Sequence, residues 1–265
     1  MNHRLSSEQV QRFEADGFLA NIPLLSPAEV TNLRARVDYI REHLSELEPR
    51  LYEVEASHSA RPEEVVCHFL GGWQVDSALA GLVADPRITQ PLAQLLGLDS
   101  LRFWHDQVFY KPPGHPGCVP WHQDYSYWTR TGPPRHITIN ILLDDADDES
   151  GCLEFIPGSQ RWGLLPSLPF DAPLDAMRAH LSPEQLAAFQ PHAAPLPAGY
   201  ATIHHSHTLH GSGPNRSERP RRALVFNYMA PDTRVLDGSE PLLRGTPPLA
   251  IGSLVEGAHF PIVLP

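Results

Sequence analysis

The chain has 265 residues, 42% hydrophobic and 19% charged, which allows a sizeable core and leaves too little charge for a disordered segment. A formal charge of -11 argues against a nucleic-acid or anionic-membrane surface. Cys67, Cys118 and Cys152 are widely spaced with no CxxC pair, residues 1–18 lack an apolar leader core, and no run approaches the roughly 18 apolar residues of a membrane span. A soluble protein of the reducing cytoplasm is expected. At this length a closed or sandwiched β fold can still be a single domain, here 1–265.

Residues 1–100 read as mainly helical support. Ser6 or Ser7 can cap a helix over Glu8–Asp16, with Gly17 as its stop. Ser26 caps a second helix, with Pro27 at its first position and Glu29 near its positive end. Val30, Leu33, Val37 and Ile40 then fall on one face. Leu79, Leu82, Val83, Ile88, Leu92 and Leu95 predict one or two short helices within 75–98. From Leu101 the texture changes: LRFWHDQVFY, HITINILLD, CLEFIP, YATIHHS and ALVFNYM read as strands bounded by turn residues, with no helix expected between 100 and 163. An antiparallel sandwich or barrel over 101–230 follows. A Pro-rich insertion at 165–197, with Ser182-Pro183-Glu184-Gln185 opening a short helix, is placed to act as a lid. Residues 231–265 form a C-terminal extension.

Among the fifteen histidines, the informative ones stand at a usable spacing from a carboxylate. In an extended segment, residues i and i+2 share a face, so His122 and Asp124 of WHQDYSYW converge on one point. A third ligand from a distant strand would complete a facial triad that leaves adjacent positions on an iron(II) ion for a bidentate acid and O2. His210, in LHGSGPN at a strand end before a Gly-rich turn, is the natural candidate. His-x-Asp pairs also arise by chance, and a solvated loop histidine is the alternative. Arg221 lies eleven residues beyond His210, where the chain turns into ALVFNYM. A buried guanidinium there could grip a carboxylate bidentately, as the distal acid of 2-oxoglutarate requires.

The segments WHQDYSYW, GCLEFIPGSQRWG and HGSGPN followed by RRALVFNY resemble the phytanoyl-CoA dioxygenase family of iron(II)/2-oxoglutarate oxygenases. LSSEQVQRFEADGFLANIPLLSPAEV resembles that family's N-terminal helices, so the likeness spans most of residues 5–230. It implies a double-stranded β-helix, or jelly-roll, core with flanking helices. It also implies iron as the metal, 2-oxoglutarate and O2 as co-substrates, and succinate and CO2 as co-products. The ligands map to His122, Asp124 and His210, the carboxylate clamp to Arg221, and a second co-substrate contact to Ser212. Two positions depart from the pattern: Gln160 stands where PGSH carries histidine, and Asn140 where many relatives carry an aromatic residue. Relatives that halogenate have a small residue where Asp124 stands, so oxygen insertion is expected instead.

Arg222 should point away from Arg221, toward the surface or a structural partner. His204, His205 and His207 are read as packing or hydrogen-bonding residues in the same strand as His210, and His105 and Asp106 as strand residues. Gln107, Phe109 and Lys111 share a strand face that could line the cavity if it is the inner one, although a lone lysine at a strand end is more often solvated. Gln123, Tyr125, Tyr127 and Trp128 either pack or contact substrate. The Asn215-Arg216-Ser217 sequon is discounted without a secretory signal, and Asp144, Asp145, Asp147 and Asp148 read as a solvated turn lacking the glycine and glutamate of a calcium loop. A hydroxylase of a small-molecule metabolite is the favoured reading. The rivals are a cupin-like metal-dependent isomerase or hydrolase without O2, and a non-catalytic ligand-binding jelly roll.

Overall fold

The computed structural model describes residues 3–264. Helix α1 (Ser7–Asp16) opens with a capping box between Ser6 and Gln9 and ends at Gly17, whose φ is 83°. Glycine is needed here twice over. The left-handed conformation strains any residue with a side chain, and a Cβ would come within 2.5 Å of Gln160 and Thr208 side-chain atoms. The Gly17 carbonyl accepts the His205 N–H at 2.9 Å and the Thr208 hydroxyl at 2.7 Å, pinning the chain just before His210. Helix α2 (Pro27–Glu42) has the predicted Ser26 cap and buries Val30, Leu33, Val37 and Ile40. The predicted helices within 75–98 are Ser77–Val83 and Pro86–Leu96.

The strands in chain order are β1 (Phe18–Pro23), β2 (Glu53–Val54), β3 (Cys67–Leu70), β4 (Leu101–Lys111), β5 (Val119–His122), β6 (Thr131–Gly132), β7 (His136–Leu142), β8 (Leu153–Phe155), β9 (His192–Ala193), β10 (Tyr200–His205), β11 (His210–Ser212), β12 (Arg221–Met229), β13 (Arg234–Val235) and β14 (Ile262–Leu264). The major sheet runs β1-β10-β7-β12-β4-β3-β2, with β14 also on β4; the minor sheet runs β5-β11-β8-β9. Their pairings are antiparallel, and the two sheets form the jelly-roll core.

Period-2 alternation sorts each major-sheet strand between two environments. Ile137, Ile139 and Ile141 of β7, Ile203 of β10, and Leu224, Phe226 and Tyr228 of β12 join Leu33, Val37, Ile40, Leu79, Ile88 and Leu92 in the core beneath the helices. Each such side chain taken from water contributes about 1.5–3 kcal/mol. The opposite parity, including Thr138, Asn140, His204, Arg221, Ala223 and Val225, lines a cavity shared with the minor sheet. Arg222 falls on the helix side as expected. Its guanidinium meets Asp38 of α2 and Asp144, each at 2.9 Å, and so ties helix to sheet. Asp144 is therefore part of a buried ionic cluster, not a solvated turn residue.

Several elements differ from the periodicity reading. The first hundred residues also supply β1, whose register is broken between Leu19 and Ile22, and β2 and β3, too short or too uniformly buried to show alternation. Short 3-10 turns occur at Asp124–Tyr127 and Ser159–Arg161, in a region expected to lack helix. The apolar residues of the 165–197 insertion pack on the minor sheet: Leu165, Met177, Leu181 and Phe189 cluster with Trp121, Ile156 and Leu209, and β9 extends the sheet along β8. Phe170 from its first part does reach the cavity. The C-terminal extension adds β13 and β14 and places Leu242 and Leu243 on the cavity wall.

Candidate metal centre

His122 is the last residue of β5, and the β5–β11 register sets it directly opposite His210. Their rings lie 4.2 Å apart, centroid to centroid. After His122 the chain stays extended for one residue and then enters the Asp124–Tyr127 3-10 turn, so the His-x-Asp pair spans a strand end and a turn, not one continuous strand. His210 opens β11 instead of closing a strand. His204 and His205 belong to β10 in the other sheet, with His207 in the connection between, which corrects the expectation that they share a strand with His210.

One ligand atom from each of His122, Asp124 and His210 lies within 4.8 Å of the others. Asp124 Oδ1 is 3.4 Å from His122 Nε2 and 3.6 Å from His210 Nε2. Each imidazole is oriented from behind. His122 Nδ1 is 2.8 Å from the Pro120 carbonyl, and His210 Nδ1 is 2.9 Å from the Thr208 carbonyl. A carbonyl can only accept, so the proton sits on Nδ1 in both neutral rings and the Nε2 lone pairs face Asp124. Burial, reinforced by His122 and His204, holds His210 well below the usual histidine range. Burial alone would raise Asp124, but the imidazoles of His210, His122 and His204 hold it well below the usual carboxylate range. Two lone pairs and a carboxylate oxygen thus crowd one point, a donor set that fits a divalent first-row metal.

Asp124 Oδ2 is occupied from the far side. It accepts the Thr138 hydroxyl at 2.6 Å and the His204 Nε2–H at 3.0 Å. His204 is therefore a hydrogen-bonding residue, and it orients the carboxylate. Partners of this kind typically change metal affinity by about 10–100-fold. His204→Ala is expected to weaken iron(II) binding by roughly that factor while the fold persists, as read by anaerobic titration and circular dichroism; unchanged affinity would assign His204 to packing alone.

Arg221, 2% exposed, stands opposite Lys111 in the β12–β4 register. Its Nη1 is 3.4 Å from Ser212 Oγ, and its Nε has no partner. Lys111 is 0% exposed, contrary to the expectation of a solvated strand-end lysine. β12 covers it, and its ammonium donates to Ser212 Oγ at 2.7 Å and to the Ser212 and Gly213 carbonyls. Burial pushes Arg221 down to about 10 and, together with Arg221, lowers Lys111 well below its ordinary value. Neither cation has a carboxylate within 4.0 Å among the described residues. Two desolvated cations without a counter-ion are costly unless an anion joins them. Ser212 lines the same cavity, but its hydroxyl already donates to the Gly151 carbonyl at 2.8 Å. The sequence named Lys111 only as a possible inner-face residue and gave it no role. Its shared face with Gln107 and Phe109 was the available signal.

Asn140 lines this cavity with an unpartnered Oδ1. Gln123 is scaffold: its amide bonds the Gly163 and His207 carbonyls and the Leu165 N–H. Tyr127 and Trp128 line an adjoining chamber of about 240 Å³ that also contains His122 and Asp124. Gln160 reaches the α1 carbonyls of Glu14 and Ala15 and stands outside the cavity. Asn215 is 1% exposed and bonds three backbone carbonyls, so it organises the turn before β12.

The family model for phytanoyl-CoA dioxygenase matches residues 13–223. This chain belongs to the phytanoyl-CoA dioxygenase family. It is similar to L-proline trans-4-hydroxylase of Streptomyces griseoviridis, 31% identical over 234 residues that cover 82% of this chain and 84% of that protein. The ectoine dioxygenase of Bordetella parapertussis is 28% identical over 243 residues, covering 85% of this chain and 76% of that protein. Among solved structures, a non-heme alpha-ketoglutarate-dependent carbocyclase from nogalamycin biosynthesis superposes with a TM-score of 0.74 at 26% identity, covering 97% and 96% of the two chains. This phytanoyl-CoA dioxygenase family member is accordingly a 2-oxoglutarate-dependent non-haem iron dioxygenase. Among its described residues no helix is long and apolar enough to cross a membrane.

Proposed function

We propose that this enzyme hydroxylates a C–H bond of a small-molecule metabolite, consuming O2 and 2-oxoglutarate and releasing succinate and CO2. The observation that carries this reading is a single cavity with two unlike ends. At one, His122, Asp124 and His210 present two lone pairs and a carboxylate oxygen; at the other, Arg221 presents a buried cation without a counter-anion, with Lys111 behind it on Ser212. A keto diacid has complementary ends, one that chelates a metal and one that forms ion pairs. The triad would hold iron(II), which supplies the chemistry with O2 that side chains cannot.

The remaining work falls to the chain's own residues. Thr138 and His204 keep Asp124 oriented. Arg221 neutralises and aims the far carboxylate of the co-substrate, with Lys111 holding Ser212 beside it and adding positive charge from behind the wall. The aromatic chamber beside His122 places the substrate and excludes water. The two relatives are named for the small molecules proline and ectoine, which supports a metabolite of similar size as substrate. A metal-dependent isomerase or hydrolase without O2 would leave Arg221 without a purpose.

The test is co-substrate turnover. Purified protein with iron(II), 2-oxoglutarate and air is expected to form succinate slowly even without its substrate, and a chelator should stop it. An absence of both succinate and iron-dependent 2-oxoglutarate binding would overturn the proposal.

A further inference from the structure

We infer that the substrate carries a cationic nitrogen, of the ammonium or amidinium class, recognised by Glu53 and Glu55 at the solvent side of the chamber beside the metal ligands. This rests on the oxygenase reading above and adds the substrate's charge to it. Besides the metal-ligand candidate Asp124, the chamber's lining includes two further carboxylates, Glu53 and Glu55, and no lysine or arginine. Its buried histidines do not offset them, since burial lowers His68 to about 4 and His105 to about 3.

Glu53 and Glu55 flank β2's Val54 and are two residues apart on one side of the chain. The Glu53 carboxylate makes no hydrogen bond or ion pair among the described residues. Glu55 uses one oxygen to cap the helix at Ala56–Ala60, accepting the Ser57 N–H at 3.0 Å; its other oxygen is free of partners. Burial and the charge of Glu55 raise Glu53 above the usual carboxylate range. Arg244, whose charge reaches Glu53, is paired with Glu48 at 3.7 Å and does not line the chamber. Two carboxylates that repel each other and lack a cation favour a positively charged guest.

The rest of the wall suits such a guest. Trp104, Tyr127, Trp128 and Phe170 present ring surface to the same space, and a cation over a desolvated aromatic face gains about 2 kcal/mol. Two residues of this lining, His68 and Trp104, are also more than nine-tenths buried and leave His68 Nδ1 and Trp104 Nε1 without a partner in the protein. The cavity thus separates charge: a cation faces the co-substrate at the Arg221 end, and anions face the substrate at the Glu53 end.

The test uses the full chain loaded anaerobically with iron(II) and 2-oxoglutarate, and three probes with one body and different charge: phenethylammonium, 2-phenylethanol and phenylacetate. Binding is read by the fluorescence of the chamber tryptophans. Phenethylammonium is expected to bind at least about tenfold more tightly than either other probe. In Glu53→Gln/Glu55→Gln, which keeps an oxygen to cap Ser57, that preference should fall to within about threefold. Equal or tighter binding of the alcohol or acid, no saturable binding of any probe, or a preference that survives the double substitution would each overturn the inference. The iron–2-oxoglutarate absorption of the same samples before probe addition reports separately on the oxygenase reading. If that band is missing, the oxygenase reading fails; if it is present without a charge preference, only the substrate inference fails.

Discussion

Asp124→Ala is expected to abolish succinate formation and to weaken iron(II) binding by more than about a hundredfold, beyond what loss of a mere orienting partner does. The substitution removes the oxygen that sits 3.4 Å and 3.6 Å from the two Nε2 atoms. It also removes the acceptor of His204 and one of the two acceptors near the Thr138 hydroxyl, the other being Asn227 Oδ1 at 3.0 Å. Asp124→Asn should be nearly as damaging: an amide keeps the shape but supplies a weaker neutral ligand and turns an NH2 group toward one set of neighbours. His122→Ala and His210→Ala should likewise lose iron, each removing an Nε2 that a backbone carbonyl has pre-oriented. Anaerobic iron titration, with circular dichroism to verify folding, is the measurement. Undiminished iron affinity in both histidine variants would place the metal elsewhere.

The second large effect is on the co-substrate. Arg221→Met should raise the KM for 2-oxoglutarate on the order of a hundredfold or more, because removing one partner of a buried charge pair costs about 2–5 kcal/mol. Iron affinity should be unaffected, since Arg221 touches Ser212 and not the triad. The stability change has the opposite sign to the functional one. Without ligand, Arg221 is a desolvated cation beside a second cation, Lys111, with an unpartnered Nε. Exchanging it for an apolar side chain of similar length should leave the ligand-free Tm unchanged or raise it. Added 2-oxoglutarate should then no longer stabilise the variant as it does the parent. Arg221→Lys is not a rescue, because a point charge cannot reproduce the planar fork. A KM within threefold of the parent's, roughly 0.6 kcal/mol, would remove Arg221 from the co-substrate site.

What was legible beforehand follows the range of the forces involved. The Ser6 and Ser26 caps and the Gly17 stop depend on residues within one helical turn, and they stand where the local chemistry put them. The five long apolar runs became β4, β7, β8, β10 and β12 because alternation is also local. β2, β6 and β13, at two residues each, carry no period at all and exist only because a neighbour pairs with them. The insertion illustrates the same limit. Its Pro-rich composition suggested a lid; that Met177 and Phe189 cover an apolar face of the minor sheet while Phe170 lines the chamber is visible only in the fold.

The histidines divide in the same way. Adjacent in sequence, His204 and His205 have different fates: the first supports Asp124, while the second has its N–H tied to Gly17. Lys111 is ordinary as a letter in the chain and unusual in place, because β12 lies across it and excludes water.

By itself the sequence determined the order of chemical types, His-x-Asp, then a distant histidine, then arginine, together with the helix caps and the two faces of each long strand. The tertiary structure alone decided that β5 and β11 pair with His122 opposite His210, that a second cation joins Arg221, and that Glu53 and Glu55 face an aromatic chamber. The physical reason is reach. Capping and alternation act over a few residues, whereas strand register and desolvation depend on what distant parts of the chain bring alongside.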